Sequence, residues 1–131
     1  MTEWIRFKKP SGSPDLLGPL QLAWLGDAVW EIHQRLRYCD RPARAKDLHN
    51  AVVSDVRACA QAKAIQDIYP HLTEIEKQFV RRGRNKAGRG PKNGDPATYA
   101  MATGFETIVG WLFLKNPQRL ADLFDLLDQN N

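Results

Sequence analysis

The stretch YAMATGFETIVGWLFL, residues 99–114, is almost wholly apolar apart from one ionisable side chain, the carboxylate of Glu106. Apolar residues fall on nearly every side of a helix drawn through it, which is typical of a helix in the protein core. An unpaired carboxylate in such a position costs several kcal/mol or stays protonated. Glu106 therefore needs a partner, and the pattern leaves two kinds open: a nearby Arg or Lys, or a second acid.

A second unusual acid, Asp27, lies in the apolar segment LAWLGDAVWEI that begins at Leu22. Aspartate is a poor residue for the middle of a helix and for a protein core, so its position needs a reason. Three glycines lie close to the two acids, and each costs about 1 kcal/mol of helix stability relative to alanine. These are Gly26, Gly104 and Gly110. Such glycines allow close helix contacts, so we predict that helix one packs on helix four with Asp27 facing Glu106.

Apolar periodicity and helix-start signals divide the chain into five helices, and no segment has sustained strand-like alternation. The predicted fold class is therefore all-α. Helix one spans about 19–38, helix two is long and runs from about 43 to 68, and helix three is short and ends near 82–83. Helix three starts at a capping box formed by Thr73 and Glu76, helix four at Asp95 and Pro96, and the last helix at Asn116 and Pro117.

The chain is long enough for one domain, which we assign to residues 16–131 after an N-terminal arm at 1–15. Four glycines and a proline between residues 83 and 95 predict a flexible loop there. No secretory, transit or membrane-spanning pattern occurs, so we expect a cytoplasmic protein with no membrane partner. Cys39 and Cys59 match no metal or redox spacing and are expected to be buried free thiols.

The positive charge of the chain is concentrated in one segment. Of the 19 basic residues, seven lie within 77–94, which contains no acid, and the remaining 12 face 15 acidic residues elsewhere. This concentration indicates a polyanion partner rather than a generally cationic surface. A solvated, disordered loop with no partner is the alternative for this run.

Two facing carboxylates repel each other, so either one keeps a proton or a cation lies between them. Hard oxygen ligands with room for water suit Mg²⁺, and Mn²⁺ can substitute. A carboxylate-bound Mg²⁺ can supply a nucleophilic hydroxide and neutralise charge on a phosphate. A basic segment that brings a polyanion to such a site predicts phosphodiester hydrolysis.

The same residues carry a family resemblance. The segment LAWLGDAVWE resembles the signature helix of the ribonuclease III family, close to E-x-L-E-F-L-G-D-A/S-V/L, and ATGFETIVGWLFL resembles its partner helix, close to A-D-x-F-E-A-L-I-G-A-I-Y-L. The intervening LHNAVVSDVRACAQAKAI is similar to another family helix, and the likeness covers about 16–128. With VRRGRN, a glycine-rich loop and no double-stranded-RNA-binding domain expected after the catalytic domain, the chain most resembles the Mini-ribonuclease III group.

The resemblance implies that Asp27 and Glu106 are catalytic metal ligands. Two positions depart from the usual family pattern, because Ala23 stands where a Glu is common and Thr103 where an Asp is common. Members of the Mini-ribonuclease III group share this reduced set and are active nucleases. We therefore expect a site with fewer protein ligands and weaker Mg²⁺ binding than in the larger relatives.

The resemblance further implies a homodimer that cuts double-stranded RNA, leaving 5′-phosphate and 3′-hydroxyl ends, with no nucleotide cofactor. Its implied substrates are the stalks that flank large-subunit (23S) ribosomal RNA precursors. Trp24, Trp30, Trp111 and Phe113 offer apolar surface for a dimer, and packing in the core is the alternative for each. Because duplex RNA is gripped through its phosphates and 2′-hydroxyls, six basic residues are predicted RNA contacts: Arg81, Arg82, Arg84, Lys86, Arg89 and Lys92.

Two other functions stay open at this point. One is a non-catalytic RNA-binding relative of the same fold, favoured by the missing acids at Ala23 and Thr103 and opposed by the retained Asp27 and Glu106. The other is a small helical scaffold whose basic loop binds nucleic acid without specificity. Cleavage of a long RNA duplex with Mg²⁺ separates both from the nuclease.

Overall fold

The computed structural model describes residues 9–40, 44–48 and 58–130, and no strand occurs within these ranges. The all-α prediction is confirmed. The longer helices are α1 (Pro19–Tyr38), α2 (Ala58–Ile68), α3 (Glu74–Lys86), α4 (Pro96–Lys115) and α5 (Pro117–Gln129). Short 3₁₀ helices at Pro14–Leu16 and Tyr69–His71 precede α1 and α3.

Helix α4 is the centre of the fold, as its apolar sequence predicts. Helices α1, α2 and α3 make their most extensive contacts with it, and α5 packs against its C-terminal end and α2. Phe105, Thr107 and Ile108 of α4 are completely shielded from solvent. The middle of the central helix, residues 102–112, is therefore positioned by the helices that surround it.

The predicted helix starts are confirmed by the hydrogen bonds at each cap. Glu76 N donates to Thr73 Oγ1 at 3.2 Å, and Thr73 N donates to Glu76 Oε1 at 2.8 Å, which completes the capping box of α3. The Asp95 carboxylate accepts from Thr98 N at the start of α4. The Asn116 side chain accepts from Arg119 N at the start of α5.

Helix α3 ends at Lys86, one turn later than the predicted end near residues 82–83. The prediction was wrong because Gly83 was interpreted as a terminator, whereas it is buried where α3 crosses α4. A Cβ at Gly83 would lie 2.2 Å from Thr107 Oγ1 and 3.1 Å from Gly104 Cα. The packing of α3 on α4 therefore requires glycine at position 83, and α3 continues past this residue. Residues 83–86 of the predicted loop belong to α3.

The second predicted helix is described only in part. Residues 45–48 are helical and α2 covers 58–68, while residues 49–57 lie outside the described part of the chain. Residues 1–8 of the predicted arm also lie outside it. The arm ends in the Pro14–Leu16 turn, where Trp111 Nε1 donates to Asp15 Oδ1 at 2.8 Å. This hydrogen bond from Trp111 lowers the pKa of Asp15 and attaches the turn to α4.

The two cysteines are free, as expected, but both are exposed, so the prediction of burial was wrong. Cys39 caps the C-terminus of α1 beyond the core, and Cys59 lies on the outer side of α2. None of the helices that the structure describes is both long and apolar enough to cross a membrane.

An ion pair between Glu76 and Arg119 joins α3 to α5. Arg119 Nε and Nη2 each donate to the Glu76 carboxylate at 3.0 Å, and Nη2 also donates to His71 O at 2.6 Å. Glu76 is only 5% exposed. Burial on its own raises the pKa of Glu76, but the hydrogen bonds and charge of Arg119, with the bonds to Thr73, bring it below its usual value.

Candidate active site

Two glycines bring the backbones of α1 and α4 into direct contact. A Cβ at Gly26 would lie 1.8 Å from Glu106 O and 2.8 Å from Gly110 N. A Cβ at Gly110 would lie 2.0 Å from Leu22 O and 3.1 Å from Gly26 N. Real Cβ atoms do not come this close to backbone atoms, so only glycine fits at either position. The close helix approach predicted from these two glycines is present.

The third glycine of that prediction serves a different contact. A Cβ at Gly104 would lie 2.9 Å from Val80 O and from Arg84 Cγ, both on α3. Gly104 therefore admits the basic helix α3 rather than α1. Together with Gly83 it holds the last turns of α3 close to α4, the helix that carries Glu106.

The α1–α4 contact brings the carboxyl groups of Asp27 and Glu106 together. Asp27 is exposed and Glu106 is largely enclosed by its neighbours. Burial, followed by the hydrogen bond and the negative charge of Asp27, raises the pKa of Glu106 from an ordinary 4.5 to about 8. Near neutral pH and without a cation, Glu106 therefore favours its protonated form.

Gln61 of α2 is a third member of this cluster and was missed by the sequence analysis. Its Nε2 donates to Glu106 Oε2 at 3.3 Å, and its side chain is 3% exposed. This bond lowers the pKa of Glu106, against the larger effects of burial and Asp27. The available signal was the buried stripe of α2, in which Gln61 precedes Ala64, Ile65 and Ile68 at helical spacing. A buried amide at such a position needs a polar partner.

The two positions where the sequence departs from the usual family pattern are buried. Ala23 is 6% and Thr103 is 5% exposed. The Thr103 hydroxyl donates to Tyr99 O at 2.9 Å within its own helix. Neither residue adds a charged oxygen to the cluster. Glu31, on α1 beyond Asp27, has its carboxylate paired with Arg35 on the same helix.

Asp27 and Glu106 supply two carboxylates at the α1–α4 contact. Within the described part of the chain, no three His, Cys, Asp or Glu side chains come together in a group able to hold a metal ion. Mg²⁺ is commonly bound through one or two carboxylates and keeps several waters or takes substrate phosphate oxygens. A pair of carboxylates with an adjacent amide donor is compatible with that kind of site, and a bound cation would counteract the burial and the negative charge of Asp27 that raise the pKa of Glu106.

All six predicted RNA-contact residues are exposed. Four of them, Arg81, Arg82, Arg84 and Lys86, belong to α3, and Arg89 and Lys92 belong to the loop that follows. The Arg82 guanidinium lies 5.1 Å from the centre of the Phe79 ring. The structure therefore divides the basic run between a helix end and a loop.

An apolar face covers the outer side of α1, and it consists of Leu20, Trp24, Ile32 and Leu36. Trp24 is 83% exposed. Half-buried Phe113 of α4 lies beside this face, in a groove shared with Trp24 and Ile32. Trp30 and Trp111 are buried in the core, so of the four aromatic residues considered for a dimer, two are core residues.

Comparison with known proteins identifies relatives over most of the chain. The family model described as "Ribonuclease III domain" matches residues 20–117. A Mini-ribonuclease 3 from Gloeobacter violaceus is 49% identical over 108 residues, covering 82% of this chain and 80% of that protein. A Mini-ribonuclease 3 from Symbiobacterium thermophilum is 46% identical over 114 residues, covering 85% of this chain and 88% of that protein.

A solved structure has the same fold. The crystal structure of a protein from Fusobacterium nucleatum superimposes with a TM-score of 0.82 at 26% identity, covering 91% of this chain and 98% of that one. The matched region of the family model contains both Asp27 and Glu106, together with Gln61 and the four basic residues of α3.

Proposed function

Because the chain belongs to the ribonuclease III family, in its Mini-ribonuclease 3 group, and is an endoribonuclease of that type, we propose that it hydrolyses phosphodiester bonds in double-stranded RNA at Asp27 and Glu106. The observation that carries the proposal is the meeting of these two carboxyl groups across a contact that only glycine allows.

Asp27 and Glu106 hold a divalent cation in this proposal, Mg²⁺ with Mn²⁺ as a substitute. Both are hard oxygen donors. Burial and the neighbouring Asp27 raise the pKa of Glu106, and a cation bound between the two carboxyl groups would take the place of the proton. When bound, such a cation activates water and neutralises charge on the scissile phosphate. With two carboxylates rather than four, the site binds Mg²⁺ more weakly than the sites of the larger relatives.

The chain's own groups have separate tasks at this site. Asp27 presents its carboxyl group from the exposed side of the site, whereas Glu106, whose pKa is raised to about 8, must release its proton before it can act as a ligand. The Gln61 amide donates to one Glu106 oxygen and so fixes the orientation of that carboxylate. The cations of α3 and of the following loop attract the phosphates of the duplex and supply most of the grip.

The substrate is proposed to be the duplex stalks of ribosomal RNA precursors, in particular those that give the ends of the large-subunit (23S) RNA. Cleavage would leave 5′-phosphate and 3′-hydroxyl ends. Four exposed cations lie on α3, which Gly83 and Gly104 hold against the helix of Glu106. This arrangement favours a polyanion that runs past the two acids.

A homodimer is proposed to form through the apolar face of α1. Trp24 is exposed, and Leu20 and Ile32 lie one and two turns away from it on the same helix. Together they form a larger exposed apolar surface than a soluble monomer normally has. Replacing Trp24 by Arg is expected to give a monomer in size-exclusion chromatography with light scattering. Ile75→Arg, on the exposed side of α3, is the matched control and is expected to leave the dimer intact. A wild-type monomer would contradict the proposal.

Cleavage of a long RNA duplex in Mg²⁺ tests the catalytic assignment. Asp27→Asn and Glu106→Gln are each expected to reduce the cleavage rate at least a hundredfold while duplex binding persists. Asp40→Asn, an exposed acid in the turn after α1, is the matched control and should cleave at the wild-type rate. Wild-type binding without cleavage would favour the non-catalytic relative. Equal cleavage by Asp27→Asn would refute the site.

A further inference from the structure

In the loop between α3 and α4, residues 87–95, one guanidinium binds several backbone carbonyl groups. Arg89 Nη1 donates to Pro91 O at 3.0 Å and to Gly94 O at 3.3 Å, and Nη2 donates to Lys92 O at 3.4 Å. Three carbonyl groups of the loop thus converge on one side chain. Because the guanidinium is planar and presents its donors in a fixed fork, this convergence specifies the path of the loop.

Glycines on either side of Arg89 make the same path possible. Gly88 and Gly90 have φ values of 71° and 79°, in the left-handed region that other residues rarely adopt. A Cβ at Gly90 would lie 2.5 to 2.9 Å from three ring atoms of Tyr99, in the first turn of α4. The loop therefore lies directly on the Tyr99 ring. Its glycines serve a defined conformation rather than flexibility.

The carbonyl of Lys92 is bound by Arg89, so the backbone that carries the Lys92 ammonium group is fixed. Asp95 ends the same loop and caps α4, the helix of Glu106. A change in the path of the loop would thus move a cation and disturb the helix start together. Arg89 itself uses both Nη atoms for loop carbonyls, which sets it apart from the other predicted RNA contacts.

We propose that Arg89 is a positioning residue: together with the Gly90–Tyr99 contact it holds the loop 87–95 in the shape that presents Lys92 to the phosphates of an RNA duplex. It does not bind a phosphate itself. This inference rests on the proposed function, since it concerns binding of the same RNA. It gives Arg89 a positioning role in place of the RNA contact predicted from the sequence, and it assigns the loop a preformed structure that lowers the entropy lost on binding.

An uncharged substitution separates loop shape from charge. Gly90→Ala meets both the Tyr99 ring and an unfavourable φ, whereas Gly94→Ala meets only Pro91 O at 3.7 Å and has an ordinary φ. Gly90→Ala is expected to weaken duplex binding roughly tenfold with an unchanged salt dependence. Gly94→Ala should bind as the wild type does. Equal affinity of the Gly90 variant and the wild type would overturn the proposal.

Arg89 and Lys92 are then distinguished by the slope of log affinity against log salt concentration. Lys92→Ala is expected to reduce this slope by about one, the effect of a lost phosphate contact. Arg89→Ala should weaken binding with the slope retained, and Arg89→Lys should not restore affinity, because an ammonium group cannot bridge three carbonyls. A reduced slope for Arg89→Ala, or full rescue by lysine, would make Arg89 a direct contact and overturn the assignment.

Hydrogen exchange of the free protein provides a readout that needs no RNA. Arg89→Ala and Gly90→Ala are expected to accelerate exchange of the Gly94 amide, which donates to Pro91 O at 3.1 Å, while α1 stays as protected as in the wild type. Unchanged exchange would show that Arg89 does not hold the loop. Wild-type protein that holds the loop but does not bind duplex RNA would refute the proposed function instead.

Discussion

Replacing Gly26 by Ala tests the contact on which the candidate site depends. The new Cβ would lie 1.8 Å from Glu106 O and 2.8 Å from Glu106 C and Gly110 N, whereas ordinary van der Waals contacts begin at 3.4 Å. All three atoms belong to the backbone, so no side-chain rotation relieves the overlap. Helices α1 and α4 must move apart by on the order of 1.5 Å, which opens gaps along the rest of their interface.

The expected loss of stability follows from two opposing effects. Overpacking of this kind costs about 3 kcal/mol, and alanine returns about 1 kcal/mol through its better helix propensity. The net loss of about 2 kcal/mol corresponds to a fall of roughly 8 °C in the melting temperature of a chain of this length. The free energy of unfolding in urea, followed by circular dichroism at 222 nm, measures it directly.

The matched control is Gly12→Ala, because a Cβ at Gly12 has no atom within 4 Å. It is expected to change stability by less than about 0.5 kcal/mol. Gly110→Ala meets Leu22 O at 2.0 Å and should resemble Gly26→Ala. If Gly26→Ala were as stable as the wild type, α1 and α4 would not be in backbone contact at this position. The conclusion that Asp27 and Glu106 lie next to each other would then be refuted.

Three further predictions concern the groups around this contact. In metal-free buffer the free energy of unfolding should fall as the pH rises from about 4.5 to about 8, by up to about 1.4 kcal/mol per pH unit, because folded Glu106 keeps a proton that the unfolded chain releases. Urea titrations at a series of pH values measure this dependence, and Glu106→Gln should remove it. Arg119→Ala should cost about 2 to 3 kcal/mol at pH 7 in the same assay, since it leaves buried Glu76 without its cation, although the partial exposure of Arg119 moderates the loss. Gln61→Leu should weaken Mn²⁺ binding roughly tenfold or more in calorimetry, because Glu106 loses the amide that orients it. Exposed Gln66→Leu is the control, and an unchanged Mn²⁺ affinity of Gln61→Leu would contradict the orienting role of the amide.

The helix starts could be predicted from the sequence because their signals are local. A capping residue followed by proline, or a capping box, determines nearby hydrogen bonds regardless of the rest of the fold, and Asp95, Asn116 and Thr73 all cap helices as expected. The end of α3 was not predictable in this way. Gly83 has the local signature of a helix end, and only its position against Thr107 of another helix explains why the helix continues.

The meeting of Asp27 and Glu106 could be predicted because each acid violates a local expectation and has a glycine beside it. The signal for Gln61 is weaker, because one amide at the edge of an apolar stripe is ordinarily exposed at the helix surface. Its burial follows from the packing of α2 on α4, a tertiary fact. The hydrogen bonds of Arg89 to its own loop could not be predicted for a similar reason: a basic residue in a glycine-rich loop has no sequence signal that separates a contact with its own backbone from a contact with RNA.

The backbone contact at Gly26 and Gly110 has a consequence for mutational scanning of this protein. Neither glycine has a side chain that could bind a cation, move a proton or touch RNA. The absence of a Cβ atom at both positions nevertheless lets α1 and α4 come close enough for Asp27 and Glu106 to meet. In a scan for activity we expect both positions to be sensitive, because any substitution that adds even one carbon atom places it against the backbone of the other helix. Stabilising designs that replace helical glycines by alanine should therefore leave both positions untouched.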